Sequence, residues 1–369
     1  MDHEPRRPPP AAPPPAVSAV GRVLPRHYAD QEAILAALRS HWVEKHFNPA
    51  RLEEIHRAVR VGGRHLALPL AEYPALDTFR KANDAWIRVA SELGSEAVSR
   101  ALEAAGLGPA DVDSFFFVTV TGISTPSLDA RVVNRLAMRP DVKRVPVFGL
   151  GCVAGAAGLA RLSDQLRAFP EGVGVLLSVE LCSLTLQRND LSVANAVASG
   201  IFGDGAAAVV LEGGGRARAG GAGRRGPRVL ATRSSFYPDT EWVMGWDVVD
   251  TGFQVVLSAK VPEITRAHIA RDVDAFLASE GLARSDIRHW VAHTGGPKVL
   301  EAFAGALELP EGALELSWRS LESVGNLSSA SVLFVLADLL ESGRARPGDR
   351  GLLAAMGPGF CAELVLLEW

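Results

Sequence analysis

The chain is poor in cysteine and has no long hydrophobic run. Its 369 residues include three cysteines, which are too few for a disulfide framework and suit a reducing compartment. No apolar run approaches the roughly 18 to 20 residues of a membrane helix. Residues 1–16 also lack the apolar segment of a secretory signal. We therefore expect a cytoplasmic protein without a membrane span.

An excess of positive charge is absent as well. The 38 Lys and Arg residues are balanced by 42 Asp and Glu residues, for a formal net charge of −4, which argues against nucleic acid as the partner. Hydrophobic residues make up 48% of the chain and charged residues 22%, so a large core can form and general disorder is excluded. The length suits about two domains.

Two segments of low complexity divide the chain. Residues 1–16 contain seven of the 23 prolines and no hydrophobic period, which predicts a disordered tail. Residues 213–228 contain seven glycines and five arginines, which predicts a flexible connection. The remaining residues, 17–212 and 229–369, are expected to form two folded halves.

Helical and strand patterns alternate in the folded parts. Residues 82–105 repeat apolar positions every three or four residues, as an amphipathic helix does. Residues 115–121 and 173–181 are short apolar runs of the kind found in buried strands. This alternation favours a layered α/β fold.

The two halves carry a repeated sequence pattern. Residues 106–119 (GLGPADVDSFFFVT) align with residues 281–294 (GLARSDIRHWVAHT) at an offset of 175, and the segments that begin at Gly151 and Gly325 align at an offset of 174. Two matches in the same order at nearly the same offset indicate an internal duplication with a pseudo-twofold axis. A general similarity between βαβ units is the alternative.

The second alignment places Cys152 opposite Asn326. Each residue follows a glycine at the start of an apolar helix, and the two helix N termini would point toward a common centre. The partial positive charge of a helix N terminus stabilises a thiolate, so we expect the pKa of Cys152 to be lowered. The alternative is a small buried cysteine that serves only as core.

His293 lies at the end of a strand in the second half. It follows the apolar run 289–292 and precedes Thr-Gly-Gly-Pro, a strand-to-helix crossing of the kind where sites of α/β proteins assemble. Cys, His and Asn together suit acyl chemistry, in which a thiolate attacks a thioester or amide and the other two side chains donate to an oxyanion. The sequence has no HExxH and no CxxC motif, so we expect no metal.

At these residues the chain resembles a known family. The segments concerned are GLGCVAGAAGLARL (149–162), FGDGAAAVVLEG (202–213), HTGGPKVL (293–300), GNLSSASVLFVL (325–336) and GPGFCAELVLLEW (357–369). They are similar to the type III polyketide synthases, the chalcone-synthase-like members of the thiolase superfamily. The resemblance runs from about residue 17 to the C terminus. It implies a thiolase-like, five-layered αβαβα fold with two pseudo-twofold-related halves, assembled as a homodimer.

By this resemblance, Cys152 carries the acyl group, and His293 and Asn326 form the decarboxylation site. The substrates would be an acyl-CoA and malonyl-CoA, with no cofactor and no metal. Phe202 resembles the gate residue between the CoA tunnel and the reaction cavity, with core packing as the alternative. Four more residues match positions that line this cavity, namely Thr121, Cys182, Thr185 and Ser328.

Some positions resemble the bacterial alkylresorcinol and alkylpyrone synthases, whose starters are long fatty acyl chains. Cys182 lies in the motif ELCSLT, where plant chalcone synthases carry threonine. A second gate position carries Val255, or Phe253 if the alignment shifts by two, and a valine there would widen the passage. Met356 replaces an aromatic residue of the family's GFGPG loop.

The resemblance predicts a synthase that loads a long-chain fatty acyl group on Cys152, extends it with malonyl-CoA and cyclises it to an alkylpyrone or alkylresorcinol. Starter length, number of extensions and mode of closure stay open, because they depend on cavity shape. Arg57 and Arg60 either bind CoA phosphates or are solvated helix residues. The alternatives are a ketoacyl-ACP synthase III, a papain-like protease and a non-catalytic scaffold.

Overall fold

The computed structural model describes residues 13–42, 48–216 and 226–369. The α-helices of these ranges are α1 (Gln31–Trp42), α2 (Pro49–Ala58), α3 (Phe79–Ala105), α4 (Leu128–Arg135), α5 (Ala154–Ala168), α6 (Val193–Ile201), α7 (Val261–Ser279), α8 (Pro297–Leu307), α9 (Glu315–Val324) and α10 (Ser331–Ser342). The strands are β1 (Ala16–Val23), β2 (His27–Asp30), β3 (Gly63–Leu66), β4 (Ser114–Thr119), β5 (Lys143–Phe148), β6 (Val173–Leu181), β7 (Asp204–Glu212), β8 (Arg228–Phe236), β9 (Met244–Val249), β10 (Gly252–Leu257), β11 (His289–Ala292), β12 (Arg350–Gly357) and β13 (Cys361–Glu368).

Nine of these strands form one mixed sheet in the order β11-β12-β13-β8-β1-β7-β6-β4-β5. The run β4-β6-β7-β1 of the first half matches the run β11-β12-β13-β8 of the second half. In each run the first pair of strands is parallel and the next two pairs are antiparallel. A single residue pair, Ala16 with Arg228, joins the two runs. This repeated order confirms the duplication that the sequence predicts.

The aligned segments also share their local structure. In each half a 3₁₀ turn precedes the first parallel strand, and an aspartate accepts a hydrogen bond from the backbone N–H at the start of that turn. Asp111 accepts from Gly108 and Asp286 accepts from Ala283, both at 2.8 Å. The halves differ in the element that precedes the helices α5 and α10, which is strand β5 in the first half and helix α9 in the second half.

The two halves of the sheet enclose a central layer of helices. α5 and α10 pack between them, and their leucines share one core with inner-face residues such as Val209 and Val365. α3 covers the outer face of the first half, where Leu177 is buried. α7 and α8 cover the outer face of the second half around Leu364. These layers confirm the five-layered αβαβα fold expected from the sequence.

The sequence patterns predicted the main elements of the first half. The helix expected over residues 82–105 is α3, which begins slightly earlier, where the Thr78 side chain accepts a hydrogen bond from the N–H of Lys81. The strands expected over residues 115–121 and 173–181 are β4 and β6. The apolar residue pattern is sufficient to predict β4 and β6 because both strands are buried along their whole length.

The ends of the two low-complexity segments are folded. Residues 1–12 and 217–225 lie outside the described residues, so the tail and connection are not tested there. The sequence assigns Pro15 to the tail and Arg228 to the connection, and both assignments are wrong. The carbonyl of Pro15 accepts a hydrogen bond from Val229 at 2.8 Å, and Arg228 begins β8. Composition misses such boundaries because proline lacks only the N–H and can still accept a bond.

The described ranges contain no membrane-spanning helix, no metal-binding cluster and no disulfide. No helix there has both the length and the apolar composition needed to cross a membrane. No group of three or more His, Cys, Asp and Glu side chains in those ranges is placed to hold a metal ion. Cys152, Cys182 and Cys361 are free thiols.

Candidate active site

Cys152 lies in a tight turn at the N terminus of the central helix α5. The chain reaches it from β5 through Gly151, whose φ is +54°. A Cβ on Gly151 would lie 2.7 Å from the ring of Pro358, so only glycine fits this turn. Cys152 is 7% exposed and belongs to the 3₁₀ turn that leads into α5. Its position at a helix start is the one that the sequence predicts.

Asn326 occupies the equivalent place before α10. The two turns face each other, since the Sγ of Cys152 lies 3.7 Å from the Oγ of Ser328. The side-chain oxygen of Asn326 accepts a hydrogen bond from the N–H of Ser328 at 2.8 Å and one from the hydroxyl of Ser331 at 3.3 Å. With its oxygen held in this way, the amide NH₂ group is the part of Asn326 that can donate to a ligand.

His293 follows directly after β11, at the carboxyl end of the strand. Its backbone N–H donates to the carbonyl of Ala354 at 2.9 Å, and its own carbonyl accepts from Gly295 at 2.9 Å. His293 is 8% exposed, and its Nδ1 has no hydrogen-bond partner among the residues that the structure describes. The backbone is therefore fixed while the ring keeps a nitrogen available for chemistry.

Burial changes the ionisation of both Cys152 and His293. It raises the pKa of the thiol to about 12 and lowers the pKa of the imidazole to about 4. The expected lowering of the Cys152 pKa is therefore wrong, because loss of water outweighs the helix N terminus at this thiol. Proton transfer from Cys152 to His293 would form both charges together, so each would balance the other without a change in net charge.

The three residues line one narrow cavity of about 90 Å³, which adjoins a wider cavity of about 580 Å³. Four residues line both spaces, namely Cys182, Phe202, Trp246 and Val255. The wider cavity has the size of a typical small-molecule site. The arrangement places a nucleophile and two potential donors beside a chamber that could hold a product chain.

The residues at the boundary agree in part with the gate proposed from the sequence. Phe202 and Val255 both line the boundary. Phe253 instead packs against the rings of Phe79 and Trp246 and lines neither cavity. Trp246 pairs with Val255 across the hairpin of β9 and β10. Sequence reasoning missed this indole, which occupies the boundary that a small Val255 would otherwise widen.

The other predicted cavity residues are divided among three places. Ser328 and Met356 line the narrow cavity, and Thr185 lines the wide one. Thr121 lines neither space, which corrects its assignment as a cavity residue. Its hydroxyl instead donates to the carboxylate of Glu180 at 2.8 Å. This hydrogen bond is favoured because a buried carboxylate requires hydrogen-bond donors.

Glu180 is a buried acid close to the site that the sequence did not single out. It is fully buried in β6 and accepts hydrogen bonds from the hydroxyl of Ser329, the hydroxyls of Thr119 and Thr121, and the N–H of Val120. Burial raises its pKa to about 7, and these donors oppose the rise. A glutamate inside an otherwise apolar strand was the only signal in the sequence.

Arg57 and Arg60 lie outside both cavities. The side chain of Arg57 is 81% exposed, and its guanidinium lies 3.5 Å from the carboxylate of Glu53, one helical turn away. Arg60 lies 3.5 Å from Glu301 and 5.3 Å from the ring of Trp318. Both side chains are on the surface near α2 and α8, so their role in binding CoA phosphates stays a prediction.

Comparison with known families covers nearly the whole chain. Residues 4–215 match the N-terminal domain of chalcone and stilbene synthases, and residues 228–368 match the C-terminal domain. The chain belongs to this family. The synthase is 54% identical over 357 residues to a 1,3,6,8-tetrahydroxynaphthalene synthase of Streptomyces peucetius subsp. caesius, covering 96% of this chain and 93% of that protein.

Two further relatives support the assignment. A putative chalcone synthase of Bacillus subtilis is 34% identical, covering 96% of this chain and 98% of that protein. The crystal structure of the 1,3,6,8-tetrahydroxynaphthalene synthase of Streptomyces coelicolor, a bacterial type III polyketide synthase, has a TM-score of 0.89 and 31% identity. It covers 96% of this chain and 99% of that one.

The chain is therefore a type III polyketide synthase, an acyltransferase that catalyses decarboxylative Claisen condensation. The family resemblance drawn from the sequence is confirmed. The ketoacyl-ACP synthase III and the papain-like protease are wrong, since both domain matches are to the chalcone and stilbene synthases. A scaffold without catalysis has no support.

Proposed function

We propose that the synthase makes 1,3,6,8-tetrahydroxynaphthalene, with malonyl-CoA as both starter and extender. The observation that carries this proposal is the 54% identity to a synthase of that product over nearly the whole chain. The ten ring carbons of tetrahydroxynaphthalene correspond to five two-carbon units. Each unit is what one malonyl group contributes after losing carbon dioxide.

The composition of the wall of the wide cavity supports the proposal of a product chain rich in carbonyl groups. Besides apolar residues, the wall contains polar side chains, including Tyr73, Ser183, Thr185 and Gln187. A poly-β-keto chain carries an oxygen on every second carbon, and each of these oxygens loses water on entering the cavity. A partly polar wall can replace some of that hydration, which a plain alkyl chain would not need.

Cys152 is proposed to carry the growing chain. Its thiolate attacks the carbonyl carbon of a CoA thioester, the C–S bond to CoA breaks, and the CoA sulfur leaves and takes up a proton. His293 accepts the proton of the Cys152 thiol, which yields the ion pair described above. The acyl group is then held as a thioester at the entrance to the wide cavity.

His293 and Asn326 are proposed to activate the extender. When the bond between the carboxylate and the α-carbon of malonyl-CoA breaks, its electrons move to the thioester oxygen and carbon dioxide leaves. The NH₂ group of Asn326 and the ring of His293 stabilise this enolate, and each such donor is typically worth about 3 kcal/mol. The enolate carbon attacks the Cys152 thioester, a C–C bond forms, and the Cys152 sulfur is released.

The proposed chemistry uses CoA thioesters and no separate cofactor or metal. Arg57 and Arg60, on the protein surface, are the candidates for the CoA phosphates, since guanidinium groups suit phosphate recognition. The free state of all three cysteines supports a reducing, cytoplasmic location.

We also propose that the synthase is a homodimer. Among the described strands, β5 lies at the edge of the sheet and pairs only with β4, and five of its six residues are exposed. Parallel strands are normally covered on both faces. Val145 on this strand is 36% exposed and Ile123 on the neighbouring loop is 48% exposed. A second copy of the chain would cover these apolar side chains.

A long-chain acyl starter is the second candidate. The size of the wide cavity favours it, and Cys182 at the boundary adds an apolar surface in place of a hydroxyl. Such a starter would lead to the alkylpyrone or alkylresorcinol suggested by the resemblance to those synthases. The two candidates differ in whether malonyl-CoA alone is sufficient.

One assay separates the two candidates. Purified synthase is incubated with malonyl-CoA alone, or with malonyl-CoA and a series of acyl-CoA esters of increasing length, and the products are read by mass spectrometry. We expect tetrahydroxynaphthalene or its oxidation product from malonyl-CoA alone. Products formed only when a long acyl-CoA is present, with the alkyl chain retained, would refute the proposal and support the second candidate. The Cys152→Ala variant is the matched blank.

A further inference from the structure

The C-terminal end of α6 connects the gate to one of the proposed donors. The carbonyl of Gly200 accepts a hydrogen bond from the side chain of Gln31 at 3.0 Å. The next carbonyl, of Ile201, accepts from the backbone N–H of Asn326 at 2.8 Å. The third, of Phe202, accepts from the guanidinium of Arg64 at 3.2 Å. The last carbonyls of a helix lack partners within the helix, so these three donors fix where α6 ends.

Gln31 and Arg64 form a connected pair behind the gate. Nη2 of Arg64 donates to the side-chain oxygen of Gln31 at 2.7 Å. The amide nitrogen of Gln31 donates to the carbonyls of Gly200 and His56, at 3.0 and 3.1 Å. Arg64 is 1% exposed. Burial lowers its pKa to about 10, which leaves it a cation at neutral pH. A buried cation is costly and is kept only where its hydrogen bonds are well placed.

Asn326 is tied to the same stretch by a second bond. The N–H of Gly203 donates to the carbonyl of Asn326 at 3.0 Å, so Phe202 and Asn326 pair as in a short parallel bridge. The backbone segment of the gate residue and that of the proposed donor are therefore joined by two hydrogen bonds. Gln31 and Arg64 bind the carbonyls of Gly200 and Phe202, on either side of the Ile201 carbonyl that Asn326 binds.

We propose that Arg64 and Gln31 are positioning residues for the decarboxylation step. By fixing the carbonyls on both sides of Ile201, they set the distance from the Asn326 amide to the enolate oxygen and the place of the Phe202 ring. This inference rests on the proposed role of Asn326. Cys152 is held separately, by the Gly151 turn against Pro358, so loading of the thiol does not depend on the pair.

The test measures decarboxylation and acyl loading separately. Arg64→Lys and Gln31→Leu are made in the full-length synthase, with and without Cys152→Ala. Carbon dioxide release from malonyl-CoA is followed in the Cys152→Ala background. The rate at which Cys152 becomes acylated by acyl-CoA is followed by intact-protein mass in the background that keeps the thiol. Thermal unfolding is recorded for every variant.

The matched control is Arg167→Met. Arg167 also donates its guanidinium to backbone carbonyls, those of Val229 and Leu230 at 2.9 and 2.6 Å, but it lines neither cavity. We expect Arg64→Lys and Gln31→Leu to reduce carbon dioxide release by about 10- to 100-fold, as a misplacement near 1 Å does. Acylation of Cys152 should change less than about twofold, and the control should leave both rates unchanged.

Three results would overturn the inference. Equal losses of acylation and carbon dioxide release, in proportion to lower thermal stability, would mean that the pair is only structural. Unchanged carbon dioxide release in both variants would mean that the pair does not position Asn326. Undiminished carbon dioxide release in the double variant Asn326→Ala/Cys152→Ala would show that Asn326 is not the donor. That result would refute the proposed function, whereas the first two results would refute only the positioning by Arg64 and Gln31.

Discussion

At the scale of single residues, burial decides the ionisation of the site. Cys152 and His293 are both neutral when considered alone, since burial moves the two pKa values in opposite directions. The sequence could place Cys152 at a helix N terminus, but it could not show how completely the cavity excludes water from the thiol and the imidazole. That depends on side chains distant in sequence, such as Trp246 and Val255.

The first prediction concerns the thiolate–imidazolium pair. His293→Ala removes the only proposed proton acceptor, so alkylation of Cys152 at pH 8 should slow by about tenfold or more. The measurement is the rate of iodoacetamide labelling at pH 8, read at the Cys152 peptide by mass spectrometry. An unchanged rate in folded protein would show that His293 does not stabilise the thiolate.

The second prediction concerns the buried acid Glu180. Burial raises its pKa from the usual 4.5 to about 7, so the folded state holds the proton more tightly than the unfolded state. Its contribution to stability is full below pH 4.5 and is lost as the pH rises through about 7. Glu180→Gln has no such proton to lose.

We therefore expect the unfolding free energy of the parent to fall relative to Glu180→Gln by about 3 kcal/mol between pH 4.5 and pH 8. Denaturant titrations of both proteins at several pH values measure it. The opposite contribution of His293 is present in both proteins and cancels in the difference. Parallel stability profiles would contradict the account.

At the scale of elements, the two central helices meet at their first turns. A Cβ on Gly155, in α5, would lie 2.2 Å from the carbonyl oxygen of Ser329 and 3.0 Å from a methyl of Val332. The close approach brings the turn of Cys152 against the turn that follows Asn326. A residue without a side chain is therefore needed at Gly155 to bring the two turns of the site together.

The third prediction follows from this contact. Gly155→Ala should lower the unfolding free energy by about 1 to 3 kcal/mol, as overpacking does, and should slow product formation. The control is Gly305→Ala in α8, where an added Cβ meets nothing within 4 Å and should stabilise by about 0.5 to 1 kcal/mol. Equal effects of the two substitutions on stability would refute the role of the contact.

The elements themselves were largely predictable, and their boundaries less so. Period and residue type located α3, β4 and β6 because each is long or wholly buried. Thr121 was assigned to the cavity because its chain position fits the family. Its hydroxyl instead donates a hydrogen bond to Glu180. This contact joins two residues that are distant in sequence, so sequence patterns could not predict it.

At the scale of the whole molecule, the duplication was the strongest signal in the sequence. Two alignments at nearly one offset predicted the internal duplication and the equivalent positions of Cys152 and Asn326. The sizes of the two cavities could not be predicted, because they depend on the β9–β10 hairpin that brings Trp246 to the boundary. The product therefore has to be determined by experiment, whereas the family is shown by the two domain matches.

The fourth prediction concerns assembly through β5. Val145→Asp places a charge on the exposed edge strand, where it would be buried on pairing with a second copy. We expect the parent to have the mass of a dimer in light scattering coupled to gel filtration and the variant to shift toward the monomer. Val248→Asp, on the 74% exposed tip of the β9 strand, is the control and should remain dimeric. A monomeric parent would refute the proposal.

The central claim is a division of labour, in which Cys152 carries the acyl chain while His293 and Asn326 stabilise the enolate. Carbon dioxide release from malonyl-CoA by Cys152→Ala tests it most directly, with Asn326→Ala added to the same background for comparison. We predict that Cys152→Ala forms no polyketide yet still releases carbon dioxide, and that adding Asn326→Ala suppresses this release. Loss of carbon dioxide release in folded Cys152→Ala protein would contradict the claim.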